Sequence, residues 1–364
     1  MREKYVEKVY KHLHSIPEKA LCEFKTSEFI ASELKTMGYS VKENFFETSV
    51  IAVKDSGNEG PALAVRADMD ALEFEIGGKK VVNHACGHDT HSAMVLATAK
   101  AVVEKGIKRG KIVFVFQPAE EISKGAIGIS KSGMLDDVTE MVGIHLRPIQ
   151  EASLGEATPA LSHGASKMIS VKIKGTIAHG ARPHLGVNAV DAAVLAVNAV
   201  NAIRGNPSIA HSVKVTNIQT EGTAHNVIPN VVYLKLDLRA QTNELMDSLT
   251  EGVKNAILTS VKSIGAEAEI TYCDGVVAAE YDDNMISVAK EAIIEVLGKS
   301  LEPIVTPGGE DFHFYTQMLD IKTSYIGLGA DLKPGLHDPE MTFNLKALEY
   351  GEKVLSKIVH KRLG

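Results

Sequence analysis

The chain has 364 residues, of which 45% are hydrophobic, and its 39 basic and 46 acidic residues give a net charge of −7. This length exceeds what one hydrophobic core usually supports, so we expect two domains. Because the chain has no block of basic residues and no apolar run long enough to span a bilayer, we expect neither nucleic acid nor a membrane as a partner.

Four apolar runs are typical of buried strands in a parallel α/β sheet, and each is followed by metal-binding or acid–base side chains. In chain order the runs are residues 61–66, 111–116, 141–144 and 323–329. The side chains that follow them are Asp68 with Asp70, Glu120 with Glu121, His145, and His337. Open α/β sheets bind ligands at the carboxyl ends of their strands. We therefore expect these side chains to converge at one edge of the sheet.

Between the first two of these strands, residues 84–91 hold one thiol, three imidazoles and one carboxylate, which points to a metal site. Cys86 and His88 are two positions apart and would point about 200° from one another on a helix. If both bind one ion they must therefore lie on a loop, and Gly87 lets the backbone bend there. A surface histidine cluster and an N-terminal helix cap that uses Asp89 are the alternatives. A helix is predicted to follow, over residues 90–105.

The sequence pattern changes near residue 165, where a second domain is predicted. Short alternating segments predict half-buried strands, and two longer segments predict helices. In chain order they are strand 169–173, helix 188–204, strand 213–215, strand 232–238, helix 244–264 and strand 269–272. The order βαββαβ is that of a ferredoxin-like sandwich. Its half-exposed strands suit a sheet with helices on one face and an edge free for another subunit.

From about residue 280 the pattern returns to α/β, so the ferredoxin-like domain is an insertion. We predict a doubly wound, mostly parallel catalytic α/β sheet formed by residues 1–164 and 277–364. Residues 165–276 are predicted to form an inserted α+β domain that serves as a lid or for dimerisation.

The cysteines indicate the compartment. Three cysteines cannot form a fully paired disulfide framework, which is typical of a reducing environment. The N-terminal sequence predicts an amphipathic helix without the apolar core of a signal peptide, so we expect a cytoplasmic protein. Cys22 and Cys273 are expected to lie in the core. Cys86 is then the cysteine that stands beside other metal-binding side chains in the sequence.

Seven motifs, spread over the whole chain, resemble the amidohydrolase branch of the aminoacylase/carboxypeptidase metallohydrolases. They are residues 14–18, 66–72, 84–89, 117–121, 143–145, 308–312 and 337–339. That branch includes hippurate hydrolases, auxin-conjugate hydrolases and N-acyl-amino-acid deacylases. The chain departs from the family pattern at Glu73, which replaces the usual proline and is followed by a shortened segment up to Asn83. This loop lies near the site in the family, so the departure bears on substrate preference.

The resemblance implies a binuclear metal site and a division of roles between the two adjacent glutamates. Its five ligands would be Cys86, His88, Glu121, His145 and His337. Thiolate, imidazole and carboxylate together favour zinc, manganese, cobalt or nickel, and five ligands suit two ions that share a bridging group. Glu120 matches the general base, which accepts a proton from a metal-bound water. A carboxylate already bound to a dication is a poor base, so this division is physically reasonable.

The resemblance also implies functional residues in the inserted domain. His179 matches a histidine that stabilises the tetrahedral intermediate and commonly reaches the site from a partner subunit; the alternative is an ordinary histidine on a turn. Asn226 and Arg239 match residues that bind the substrate carboxylate, for which an Arg is well suited. A salt bridge on the strand surface is the alternative for Arg239.

Nearby carboxylates and one further histidine complete the predicted site. Asp68, Asp70 and Asp89 are expected to orient the imidazoles of the ligands. His91 is interpreted as a histidine in the first turn of a helix, without a metal.

These features predict a metal-dependent amidohydrolase that cleaves N-acyl or N-aroyl amino acids, and the resemblance implies a homodimer. A dipeptidase or carboxypeptidase with the same site is the nearest alternative. A cysteine hydrolase that uses Cys86 as its nucleophile is a second alternative. A non-catalytic metal-binding protein is a third, and it would have no use for the spare carboxylate of Glu120.

Overall fold

The structure, a computed structural model, describes residues 4–222, 224–306 and 308–364. Its helices are α1 (Tyr5–His14), α2 (Phe24–Thr36), α3 (His88–Lys105), α4 (Gly125–Ser130), α5 (Ala189–Asn201), α6 (Asn243–Lys262), α7 (Asp283–Leu297), α8 (Phe314–Leu319) and α9 (Lys346–Leu363). Among these described helices, none has the length and apolar character needed to cross a bilayer.

The strands carry the same chain-order numbering. They are β1 (Ser40–Glu43), β2 (Val50–Asp55), β3 (Ala62–Asp68), β4 (Leu72–Ile76), β5 (Lys79–Asn83), β6 (Lys111–Gln117), β7 (Glu140–Pro148), β8 (Ala157–Thr158), β9 (Leu161–His163), β10 (Ala165–Lys174), β11 (Ala178–His179), β12 (His211–Thr220), β13 (Val227–Ile228), β14 (Val231–Ala240), β15 (Glu267–Val276), β16 (Ile304–Thr306) and β17 (Lys322–Leu332).

The chain divides into two compact units. The larger unit comprises Met1–Ser162, Glu280–Val305 and Glu310–Gly364, and the smaller comprises His163–Ala279 and Thr306–Gly309. The smaller unit is therefore inserted between segments of the larger one, and its main segment lies close to the predicted span of 165–276.

The larger unit is built on a seven-stranded sheet in the order β1-β2-β6-β3-β7-β17-β8. The four central strands, β6, β3, β7 and β17, are parallel, and β1, β2 and β8 join the sheet through antiparallel pairs. Successive residues of β3 enter different cores, because strand side chains alternate between the two faces. Leu63 and Val65 pack with residues of α3 and α9, whereas Ala64 packs with residues of α4 and α8. The predicted α/β sheet, mostly parallel and covered on both faces, is confirmed.

The smaller unit contains a four-stranded antiparallel sheet in the order β12-β14-β10-β15. Its elements follow one another as β10, α5, β12, β14, α6 and β15, which is the predicted βαββαβ order. In β14, Val232, Leu234, Leu236 and Leu238 are buried in one core with residues of α5 and α6. The other face of this sheet is more exposed, and β12 and β15 form its edges.

The expectation that Cys22 and Cys273 lie in the core is wrong, because both are exposed. Cys22 lies on the turn before α2, and Cys273 lies on the edge strand β15. Neither position belongs to a repeating apolar pattern, so the general tendency of cysteine to be buried was the only guide to them.

Candidate metal centre

Neighbouring strands and one helix of the larger unit carry the candidate ligands. β6 is followed by Glu120 and Glu121, β7 contains His145 near its carboxyl end, and α3 begins at His88. β3 lies between β6 and β7 in the sheet and ends at Asp68. These side chains lie at the carboxyl edge of the parallel strands, as open α/β sheets lead one to expect.

A tight turn at Gly87 leads into α3. Gly87 has φ +88°, which glycine adopts without strain, and its carbonyl accepts hydrogen bonds from the N–H groups of Thr90 (2.9 Å) and His91 (3.2 Å). Cys86 therefore lies on the loop before the helix, and His88 is the first residue of the helix. This bend lets both side chains contribute donor atoms to one group.

Two groups of donor atoms share the sulfur of Cys86. In the first, the sulfur lies with nitrogens of His88 and His145, all within 4.8 Å of one another. In the second, the sulfur lies with donor atoms of Glu121 and His337, again within 4.8 Å. The sulfur is 3.5 Å from His145 Nε2, and Glu121 Oε2 is 3.6 Å from His337 Nε2. Two groups with one common member suit two ions that share a bridging ligand.

His337 reaches the group from the loop after β17. Its backbone N–H donates to the carbonyl of Ala85 at 2.7 Å, which ties this loop to the segment before Cys86. The side chain of His337 is 57% exposed, whereas that of Glu121 is 10% exposed and that of His88 is fully buried. His337 therefore forms the open side of the donor set.

Buried polar atoms without partners indicate that a cation fits this place. His88 Nε2 and Glu121 Oε1 are buried 3.9 Å apart, and neither makes a hydrogen bond within the described chain. A cation would satisfy both atoms, which otherwise carry a desolvation penalty. Burial lowers the pKa of His88, but Asp68 and Cys86 raise it well above its usual value. The site therefore favours added positive charge, and its sulfur, nitrogen and oxygen donors fit divalent transition metals.

The tautomer of His145 leaves its Nε2 atom available as a metal ligand. Nδ1 lies 2.7 Å from the carbonyl of Leu146, so Nδ1 carries the proton and Nε2 faces Cys86 with its lone pair. Burial lowers the pKa of His145 well below its usual value, which keeps the ring neutral. Burial also raises the pKa of the Cys86 thiol, so the thiolate that a cysteine nucleophile needs is disfavoured unless a metal is bound.

Glu120 is placed differently from Glu121. Its Oε1 accepts a long hydrogen bond of 3.4 Å from the N–H of Asp311, and its Oε2 lies 3.8 Å from His88 Nε2. Burial raises the pKa of Glu120 well above its usual value, and the carboxylates of Glu310 and Asp311 raise it further. A carboxylate with a raised pKa and no strong partner is a better proton acceptor at neutral pH.

The three predicted orienting aspartates have different partners. Asp70 Oδ1 lies 3.3 Å from His88 Nδ1, and Asp68 Oδ1 lies 2.7 Å from His91 Nδ1. Asp89 lies 2.7 Å from Nδ1 of His14, which is half-exposed and outside the predicted ligand set. His91 lies in the first turn of α3, as interpreted, and is buried.

A buried cluster of polar side chains around Arg66, here called the hub, was not predicted from the sequence. This guanidinium is 1% exposed and donates to Asp68 (2.6 Å), Gln117 (2.8 Å), Asp311 (2.9 Å) and Glu310 (3.1 Å). Burial lowers the pKa of Arg66, but these carboxylates raise it well above its usual value. An Arg inside an otherwise apolar strand was the available signal, because a buried charge requires partners. The hub connects β3 to the turn that faces Glu120.

The remaining predicted residues belong to the smaller unit. His179 is exposed on β11, and its Nδ1 accepts a hydrogen bond of 3.0 Å from the N–H of Ala181. Asn226 is exposed, and its carbonyl accepts from the N–H of Gly180 at 2.8 Å. Arg239 makes a bidentate contact of 2.9 Å with Asp237 on the same strand. Catalytic and substrate-binding roles for these residues stay predictions.

Comparison with known proteins identifies relatives along nearly the whole chain. The profile described as Peptidase family M20/M25/M40 matches residues 64–361. An N-acetyl-L-cysteine deacetylase of Bacillus subtilis (strain 168) is 30% identical over 362 residues, covering 95% of this chain and 85% of the relative. A hippurate hydrolase of Campylobacter jejuni is 29% identical over 373 residues, with 98% and 96% coverage. A solved Bacillus subtilis protein, described as a dinuclear metal binding peptidase of the M20 family, superposes with a TM-score of 0.83 at 25% identity and covers 98% of this chain and 97% of its own.

Proposed function

The chain belongs to peptidase family M20/M25/M40, and from this premise we propose that it hydrolyses the amide bond of N-acyl or N-aroyl amino acids. It is an amide or peptide bond hydrolase of the amidohydrolase branch, as its motifs predicted. The narrower substrate class is supported by relatives that are a deacetylase of an N-acetyl amino acid and a hippurate hydrolase.

The observation that carries the proposal is the different placement of two adjacent carboxylates. Glu121 belongs to a donor group with Cys86 and His337, whereas Glu120 belongs to no donor group with Cys86 in the described chain and accepts one long hydrogen bond. Burial raises the pKa of both carboxyl groups, and that of Glu120 lies well above its usual value. When bound, two divalent cations would polarise the substrate carbonyl and lower the pKa of water at the site. Cys86, His88, Glu121, His145 and His337 would hold them.

In the proposed reaction Glu120 moves the proton. Its carboxylate accepts a proton from the attacking water as the new C–O bond forms at the acyl carbon. It then returns that proton to the amide nitrogen, so the C–N bond breaks and the amino acid leaves as a neutral amine. His179 is proposed to donate a hydrogen bond to the oxyanion of the tetrahedral intermediate. Arg239 and Asn226 are proposed to bind the carboxylate of the amino-acid part, for which Arg239 would exchange Asp237 for the substrate.

We further propose a cytoplasmic homodimer with zinc, manganese, cobalt or nickel as the metal. The thiol, imidazole and carboxylate donors support the choice of metals. The edge strand β12 supports pairing between subunits, since it has a strand on one side alone in the described sheet. Three cysteines, none of them in a disulfide in the described structure, support a reducing compartment.

A screen for activity tests the proposal. The protein, loaded separately with each of the four metals, would be given N-acetyl amino acids, N-benzoyl amino acids and dipeptides, with release of the free amino acid as the readout. We expect turnover of acylated amino acids, loss of activity on treatment with a chelator, and recovery on addition of a divalent metal. Preference for dipeptides would make the chain a dipeptidase, and activity that resists the chelator would favour the Cys86 nucleophile, which lies 3.5 Å from His145 Nε2.

A further inference from the structure

The residue before the proposed general base has a strained backbone. Ala119 has φ +59°, in the left-handed region that residues other than glycine, asparagine and aspartate seldom adopt. It directly precedes Glu120, so its backbone dihedrals set the direction in which the next residues leave β6. Such strain persists where surrounding contacts impose it.

A distant carboxylate holds this strained residue. Glu23 is 0% exposed, and its Oε1 accepts hydrogen bonds from the N–H groups of Ala119 (2.9 Å) and Leu21 (3.1 Å). Its Oε2 accepts a hydrogen bond of 2.6 Å from the hydroxyl of Thr48. The side chain of Glu23 is thus fixed from three sides, and it can hold the Ala119 N–H in place.

The Glu23 side chain can bind Ala119 because Glu18, and not Glu23, binds the first amides of α2. Glu23 occupies the N-cap position of that helix, but its side chain makes no capping hydrogen bond. Glu18 binds the first-turn amides instead, accepting from the N–H of Lys25 (3.2 Å) and of Thr26 (3.0 Å). Helix capping therefore does not account for the burial of the Glu23 carboxylate.

Two carboxylates together bind three successive amides of this turn. Glu23 binds the N–H of Ala119, and Asp70 binds the N–H groups of Glu120 (3.1 Å) and Glu121 (3.0 Å). The carbonyl of Ala119 also accepts hydrogen bonds from two backbone N–H groups of the segment that follows, at 3.1 and 3.2 Å. The backbone of both glutamates is fixed in this way while their carboxyl groups stay available.

We infer that Glu23 is a positioning residue, which holds Ala119 in its left-handed conformation and thereby aims the carboxylate of Glu120 at the reacting water. This inference rests on the proposed function for the role of Glu120. Asp70 alone leaves Ala119 free to relax toward ordinary dihedrals, which would rotate the turn and displace the base. A displacement of about 1 Å at a reacting group can lower a rate roughly 10²-fold.

The experiment uses the full-length, metal-loaded protein and four variants. Glu23→Ala removes the acceptor, and Glu23→Gln keeps an oxygen that can accept from Ala119. The double variant Glu23→Ala with Ala119→Gly relieves the strain, because glycine adopts a positive φ without cost. Glu140→Ala is the matched control, since Glu140 is a buried carboxylate of the same unit that binds Arg362 and begins β7. If Glu23→Ala fails to fold, Glu23→Asp replaces it and withdraws the carboxylate by one methylene.

We expect Glu23→Ala to lower kcat roughly 10²-fold with KM and metal content little changed. Glu23→Gln should retain most of the activity. Adding Ala119→Gly to Glu23→Ala should raise kcat at least about tenfold above that of Glu23→Ala alone. The inference is overturned if Glu140→Ala lowers kcat as much as Glu23→Ala, or if the added glycine restores nothing.

Hydrogen exchange separates this inference from the proposed function. Peptides covering residues 117–125 should exchange faster in Glu23→Ala than in the wild type, and Glu140→Ala should leave them unchanged. Unchanged exchange in Glu23→Ala would refute the inference that Glu23 fixes the backbone of this turn, even in an active enzyme. If exchange is faster in Glu23→Ala but the wild type hydrolyses no acylated amino acid, Glu23 fixes the turn and the proposed function is refuted.

Discussion

Asp68 Oδ1 lies 2.7 Å from Nδ1 of His91, and both side chains are completely buried. The Nε2 of His91 accepts a hydrogen bond of 3.2 Å from the N–H of Leu146, whose carbonyl in turn accepts from Nδ1 of His145 at 2.7 Å. His91 therefore helps to fix the backbone of Leu146, whose carbonyl orients a candidate metal ligand. Burial raises the pKa of Asp68, but His88 and His91 hold it well below its usual value, so this carboxylate is ionised.

Replacing His91 by Leu should destabilise the protein. The substitution leaves the Asp68 carboxylate and the Leu146 N–H buried without this partner, at a cost of about 1–3 kcal/mol for each group. We expect the free energy of unfolding to fall by about 3 kcal/mol in urea titrations of the metal-free protein. His360→Leu, at an exposed histidine of α9, should change it by less than about 0.5 kcal/mol. Equal effects of the two substitutions would show that the His91 contacts contribute nothing measurable.

Substitutions of the two adjacent glutamates should affect catalysis and metal binding separately. Glu120→Gln should keep the metals and lower kcat roughly 10²-fold or more, because the amide cannot accept the proton. Glu121→Gln should instead weaken metal binding first, since it replaces a charged ligand by a neutral one. Elemental analysis beside kinetics distinguishes the two results, and the reverse pattern would mean that the roles are exchanged.

The metal content should depend on Cys86. Because the sulfur belongs to both donor groups, we expect about two divalent ions per chain in the loaded wild type and a clear loss in Cys86→Ala. Cys273→Ala, at an exposed cysteine of the smaller unit, is the matched control and should keep both ions. Retention of both ions by Cys86→Ala would remove this residue from the site.

The contact between His14 and Asp89 should make stability depend on pH. The hydrogen bond to Asp89 raises the pKa of His14 above its ordinary value of 6.5, although burial opposes the rise. A raised folded-state pKa gives a stabilising contribution that is complete below the unfolded pKa and is lost as pH rises through the folded pKa. His14→Gln should therefore lower the free energy of unfolding more at about pH 5.5 than at about pH 8.5. In an Asp89→Asn background that pH-dependent difference should vanish; a difference that persists there would assign it to other groups.

Complementation between inactive variants tests whether His179 acts across a dimer. If it completes the site of a partner subunit, mixing His179→Ala with Glu120→Gln should restore part of the activity, because each mixed dimer would contain one intact site. Light scattering must first show a dimer, and subunit exchange must be verified with tagged chains. Exchange without recovery would mean that His179 acts within its own chain or has no catalytic role.

The sequence by itself determined the architecture, and it supplied the candidate metal ligands. The alternation of Val232, Leu234, Leu236 and Leu238 predicted β14, because side chains in a strand alternate between two faces and one face here is buried. The parallel strands were likewise predicted from continuous apolar runs that are covered on both faces. These are local properties, since each depends on the spacing of apolar residues along a single segment.

The tertiary structure alone decided which polar groups meet. Asp89 was expected to orient a ligand and contacts His14 instead, while the Arg66 hub and the bond from Glu23 to Ala119 were not predicted. Apolar burial needs no specific partner, so its periodicity can be read from one segment. Each of these hydrogen bonds requires two atoms from distant segments to lie about 3 Å apart with suitable angles. The two atoms reach those positions when the strands and loops pack together in the tertiary structure.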